Sequence, residues 1–123
     1  MSEWIKVSSD LPKHRKTLQL SRLLKISRRE AVGIVIDLLI YGYSYAEKDG
    51  LLRGLQAQDI DAAMEWTKRA SLTEALTESG FLEKSEDGYR IHDFMEYAGE
   101  LFNKREKTRL RVKRYRESHR DDS

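Results

Sequence analysis

The sequence predicts a mostly α-helical domain with a small β-ribbon, and three observations carry that reading. Apolar residues recur at helical spacing through most of the first hundred positions. Two short alternating runs, Phe81-Leu82 and Tyr89-Arg90-Ile91, flank Glu86-Asp87-Gly88, a hairpin turn signal. Between Ala57 and Phe94 the order is helix, tight turn, helix, two short strands. That is the plan of a winged helix-turn-helix domain, most often a nucleic-acid-binding module. The expected architecture adds a long basic C-terminal helix, dividing the chain into a winged-helix domain at 1–102 and a basic helical or disordered tail at 103–123.

Each element has a local cause. Glu3-Trp4-Ile5-Lys6-Val7 alternates and reads as an edge strand or extended arm, with Trp4 an anchor on the core. Ser9 or Asp10 is placed to cap a helix from near Pro12 to about Leu24, with Leu20, Leu23 and Leu24 inward. Ser27 and Glu30 form a capping-box pattern opening a second helix, in which Ala31, Ile34, Val35, Leu38, Leu39, Gly42 and Tyr45 recur. Val32 and Ile36 widen that stripe until the helix is apolar nearly all round, which predicts burial. Tyr41, Tyr43 and Tyr45 read as rim packing of this helix. Asp49-Gly50 ends it, and Leu51-Leu52-Arg53 is a short first strand.

Gln58 to Met64 is the next expected helix, with Ile60, Ala63 and Met64 inward, and Glu65 to Arg69 make the turn. Ser71 to Ser79 follow as the helix a winged domain offers to DNA, with Leu72, Ala75 and Leu76 inward and Gly80 a left-handed cap. Its expected outward residues are Ser71, Thr73, Glu74, Thr77 and Glu78. Asp93 is expected to cap a last helix with Phe94, Tyr97, Ala98, Leu101 and Phe102 along one stripe.

Charge is segregated. The 123 residues carry a net +2, but residues 1–30 hold eight Lys/Arg against three Asp/Glu, residues 31–102 six against fourteen, and residues 103–120 nine against two. The middle is acidic and both flanks are basic. No cysteine is present, which excludes disulfides and thiol chemistry. The longest apolar run, Ala31 to Tyr43, includes Asp37 and is too short to span a bilayer. With no signal-peptide pattern at the start, the expectation is a cytoplasmic protein with no membrane partner.

Catalysis and metal binding find no support. His14, His92 and His119 lie in different elements without ligand spacing, and no phosphate loop or nucleophile elbow occurs. The reading is therefore a non-enzyme without cofactor or metal, and His92 beside Asp93 reads as structural. For DNA, the helix face and wing tip (Lys84-Ser85-Glu86-Asp87) are acidic and repel phosphate, leaving Lys68, Arg69, Ser71 and Thr73 near the helix N-terminus. The stronger candidates are in the tail: Lys104, Arg105, Lys107, Arg109, Arg111, Lys113, Arg114 and Arg116, whose density favours a polyanion. Lys13, Arg15, Lys16 and Arg22 form a secondary basic face, read either as solvated or as facing phosphate.

The run Ile91-His92-Asp93-Phe94, Glu96-Tyr97 and Lys104 through Glu117, with its Arg111-Val112-Lys113-Arg114-Tyr115-Arg116-Glu117 core, resembles the end of phage replisome-organiser N-terminal domains. His14 to Leu24, Ile26 to Gly33, and Glu74 through Leu82 are similar to prophage replication proteins of the same kind, with DnaD-type primosomal proteins as more distant relatives. The resemblance implies replication initiation: origin or single-strand binding, self-association, and contact with a replicative helicase or helicase loader. The family's second, helicase-facing domain has no counterpart here, so an N-terminal fragment and a short stand-alone relative both remain open. Two other functions compete: a protein-interaction or oligomerisation module of a replication complex, and a phage transcription regulator. DNA, single- or double-stranded, and a homo-oligomer are the expected partners.

Overall fold

The computed structural model describes residues 5–94 and 107–118. Trp4, the Tyr97–Phe102 part of the last stripe, the boundary drawn at 102, Lys104, Arg105 and His119 lie outside the described residues. Among those described, the chain is mostly helical with one three-stranded antiparallel sheet.

The helix expected from Pro12 is interrupted. Leu11–Lys13 form a single 3-10 turn, Asp10 makes no side-chain cap, and His14 is extended (ψ 142°). The His14 Nδ1 accepts the Lys16 N–H at 3.1 Å, so histidine is the cap of α1, Arg15–Leu24. Thr17, Leu20 and Leu24, one face two turns long, are buried. Ser27 caps α2, Arg28–Tyr45, by accepting the Glu30 N–H at 3.1 Å.

Burial of α2 is one-sided. Ala31, Val35, Leu38, Leu39, Gly42 and Tyr43 are in the core, while Ile40 is 50% exposed and Tyr45 72% exposed. The all-round apolar pattern overstated its burial because only one face meets α1 and the sheet end. Tyr45 instead lies against Tyr41, with ring centroids 4.9 Å apart. Burial, then Tyr45, then Asp59 push the Tyr41 phenol up from its ordinary value.

The sheet order is β1 (Leu51–Arg53), β3 (Gly88–Ile91), β2 (Leu82–Ser85), with Leu51 opposite Arg90 and Leu82 opposite Ile91. The central strand is thus last in the chain, and it is reached through the Glu86-Asp87 turn. Gly88 has φ 140° and a Cβ there would run into the Leu52 carbonyl oxygen, so the crossing of β1 and β3 requires glycine.

Between β1 and β2 come α3, Ala57–Ala63, opened by a Gln56–Asp59 capping box, and α4, Leu72–Ser79, capped by Ser71 and closed by left-handed Gly80 (φ 95°). Ile60 is buried and Met64 half-buried, but Ala63, expected inward, is exposed. Helix α1 packs on both α2 and α4, α3 packs on α4, and α4 lies on β2. One core unites them, from Leu11 through Leu20, Val35, Leu38, Ile60, Leu72 and Leu76 to Phe94.

After β3, Asp93 has φ 53° and its carboxylate lies 3.2 Å from His92 Nε2, while the first turn it is expected to cap lies outside the described residues. The other ring nitrogen of His92 faces Glu83 on β2. His92 therefore ties the ribbon to the chain that leaves it, a structural role.

Candidate nucleic-acid interface

Helix α4 has little surface to offer. Of its eight residues, Leu72, Thr73, Ala75, Leu76 and Ser79 are buried, Thr77 is half-buried, and only Glu74 and Glu78 are exposed. Four residues apart, the two glutamates stand one turn above each other and make the accessible ridge acidic. Thr73, expected to face outward near the helix N-terminus, instead has a fully buried side chain. Burial follows from α4 being held on both sides, by α1 and by α3.

The N-terminus of α4 is also taken. Asp61 Oδ1 accepts the Thr73 backbone N–H at 2.7 Å and the Thr73 hydroxyl at 2.6 Å, with the Ala57 carbonyl 3.0 Å from the same hydroxyl. Asp61 Oδ2 accepts the Ser71 hydroxyl at 3.0 Å, and Ser71 Oγ in turn accepts the Glu74 N–H at 3.2 Å. The free N–H groups and dipole that make a helix start attractive to phosphate are here satisfied by a carboxylate of α3. A phosphate arriving at the same place meets a charge of its own sign. Ser71 is thereby engaged inside the domain.

Lys68 and Arg69 remain exposed on the 65–70 loop. That loop is closed by the Trp66 indole N–H donating to the Ala70 carbonyl at 2.7 Å, and the Lys68 ammonium stands 5.4 Å from the Trp66 ring. They are two cations beside a slot already filled.

On the sheet, Arg53 of β1 and Arg90 of the central strand β3 are already matched by acids. Arg53 Nε lies 2.8 Å from Glu47, and Arg53 also lies 3.9 Å from Asp87. Arg90 lies 3.1 Å from Asp49. The hydrogen bond to Glu47, then its charge, holds the Arg53 guanidinium even more firmly protonated.

Lys13 on the 3-10 turn and Arg15 and Arg22 on α1 are exposed, and Arg15 and Arg22 share one face two turns apart. Lys16 is different. It is half-buried, its stem covers Gly80, and its ammonium donates to the Gly80 carbonyl at 3.4 Å. A cation near this C-terminus complements the dipole of α4, so Lys16 joins α1 to α4 rather than facing solvent.

Residues 107–118 are helical, and every side chain along them is exposed. Lys107, Arg109, Arg111, Lys113, Arg114 and Arg116 are carried there, against the single acid Glu117. Among the described residues this is the densest set of accessible cations, and none of the six belongs to an ion pair with another described residue. Like charges at (i, i+4), such as Lys107 with Arg111 and Arg109 with Lys113, cost an isolated helix a few tenths of a kcal/mol each. A polyanion relieves that repulsion.

The structure therefore brings Ser71 and Thr73 to Asp61, Lys68 to Trp66, and Lys16 to Gly80, while six tail cations share one accessible helix. Asp61 is the residue that sequence reasoning missed as a determinant of the site. Its carboxylate reaches Thr73 across 12 positions, and no spacing rule signals such a contact. Among the described residues, no group of three His, Asp or Glu side chains is arranged to hold a metal ion, and no helix is long and apolar enough to cross a membrane. Compared with protein-family models, curated proteins and solved structures, the chain has no match.

Proposed function

We propose that this chain is a non-enzymatic DNA-binding module of winged-helix type, in which the basic C-terminal helix supplies most of the phosphate contacts. The observation that carries this reading is the fully exposed 107–118 helix with its six basic side chains. Two features support the winged-helix part: the element order from α2 to β3 and the β1-β3-β2 sheet. The acidic ridge of α4 and the carboxylate at its N-terminus assign that helix a framework role. Lys13, Arg15 and Arg22 are secondary contacts. The resemblance to phage replisome organisers supplies the context, replication initiation in a phage or prophage, with the cytoplasm as its setting.

The test is fluorescence anisotropy with labelled DNA at low salt. Replacing the six tail cations by glutamine in the full chain is expected to weaken binding at least a hundredfold. Thr77→Ala, on the accessible side of α4, is expected to change it less than twofold. Equal affinity of the six-fold variant and the parent rules the tail out.

A second reading is favoured by a separate observation. Ile40 and Tyr45 expose apolar surface on α2, and the acidic α4 ridge is opposite in sign to the basic helix. We infer from this that copies of the chain associate, with charge setting the orientation of the encounter more than its strength.

A further inference from the structure

We propose that the 107–118 helix lies lengthwise in the major groove of double-stranded DNA, gripping both phosphate walls at once. The proposal rests on the DNA-binding reading above and names its form of DNA. At 3.6 residues per turn, the six cations fall into two rows rather than one face. Lys107, Arg111 and Arg114 make one row, at spacings of four and three. Arg109, Lys113 and Arg116 make the other, at the same spacings. The rows stand roughly 160° apart around the helix axis. The surface hollows along the helix divide the same way: one is lined by Lys107, Arg111 and Arg114 with Leu110, another by Arg109, Lys113 and Arg116 with Val112 and with Glu117 at its edge.

Between the rows runs an uncharged seam of Thr108, Val112 and Tyr115, again spaced four and three, with each row about 100° from it. The opposite seam holds Leu110 and Glu117. Val112 is 42% exposed and Tyr115 62% exposed, so the uncharged seam is accessible surface. Directed at the groove floor, that seam places both cation rows slightly outward, towards the sugar-phosphate walls, and turns Glu117 away from DNA.

Dimensions select the site. An α-helix with side chains is about 10–12 Å across, and the major groove is about 12 Å wide against about 6 Å for the minor groove. Each row spans seven residues, about 10 Å of helix, or about three phosphates of one strand at roughly 3.4 Å each along the duplex. A single strand offers one backbone, which meets one row and leaves the other in water. The seam contains no Asn, Gln or Arg for bidentate reading of bases; the Thr108 and Val112 methyls suit thymine methyl groups, so sequence preference is weak.

The experiment uses the full chain, a 20-base-pair duplex and the matching single strand, with anisotropy titrations from about 50 to 300 mM salt. Two triple variants, K107Q/R111Q/R114Q and R109Q/K113Q/R116Q, are compared with the parent, together with methylation of guanine N7 by dimethyl sulfate. Each row is expected to contribute about −2.7 to the slope of log K against log salt on duplex, at about −0.9 per phosphate contact. Each triple variant is therefore expected to lose that much, and guanine N7 is expected to be protected. A triple variant that keeps the parental slope, or unprotected guanine N7 in a bound duplex, overturns the major-groove grip and leaves DNA binding standing. Failure of the parent to bind either DNA at low salt overturns both. Unchanged melting by circular dichroism checks that the variants are folded.

Discussion

At the scale of single residues, Asp61 decides more than any cation. One carboxylate satisfies a backbone N–H and two hydroxyls at the start of α4, and those partners are half-buried or buried. Removing it leaves the Thr73 amide without its acceptor inside the fold, at a cost on the order of 1–3 kcal/mol for an unsatisfied group, and takes a charged acceptor from the Thr73 and Ser71 hydroxyls, of which Thr73 keeps the Ala57 carbonyl. Asp61→Ala is expected to destabilise the domain by about 2–4 kcal/mol, read as a shifted midpoint in urea unfolding. Asp61→Asn, which keeps an acceptor, is expected to lose less than half as much. Equal stability of the alanine variant and the parent shows that the contact has no weight. Lys16 follows the same logic at the other end of α4: it meets the Gly80 carbonyl, so its charge serves the fold before any ligand.

At the scale of elements, α4 and the 107–118 helix differ in what they present to a ligand. Helix α4 is short and has five of eight residues buried, and its accessible ridge is Glu74 and Glu78. The 107–118 helix is exposed throughout and basic on two sides. If α4 stands close to phosphate in a complex, its glutamates lower affinity by Coulomb repulsion. Glu74→Gln with Glu78→Gln is then expected to raise DNA affinity about two- to tenfold at low salt, and the gain should shrink as salt rises. Affinity unchanged at every salt concentration places α4 away from the nucleic acid altogether. Either result is read against the tail variants, whose effect is far larger and opposite in sign.

At the scale of the whole molecule, charge segregation is the dominant property. A net charge of +2 is too small to draw a polyanion, but it combines an acidic middle with basic flanks. The acidic part surrounds the sheet and α4, where Arg53 and Arg90 are already matched by Glu47, Asp87 and Asp49. Among the described residues, the accessible cations are left mainly on the 107–118 helix and on the basic stretch from Lys13 to Arg29. Opposite charges on one chain, together with the apolar Ile40 and Tyr45, favour association between copies. Light scattering from low to high protein concentration is expected to show a mass above the monomer at low salt that falls as salt screens the charges. A monomeric mass under all conditions sinks the oligomer reading and leaves the DNA reading untouched.

Much of this architecture was legible in the chain because its causes are local. Ser27 with Glu30 and Gly80 set helix ends through contacts three or four residues long, and Glu86-Asp87-Gly88 set the ribbon turn. The basic character of the tail is likewise a matter of composition. Where the reading of the site failed, the cause was distant in sequence. Thr73 carries a residue type and a cap-adjacent position that suit an exposed contact, yet it is buried and held by Ala57 and Asp61 of α3. One miss was local: His14 rather than Asp10 caps α1, by accepting the Lys16 N–H two residues on. Sequence alone determined the helix and turn order and the segregation of charge, since both follow from neighbouring residues. Only the tertiary structure decided that α4 has its anion slot closed and an acidic ridge in view, because a carboxylate 12 positions away competes with solvent and ligand only once the chain has packed.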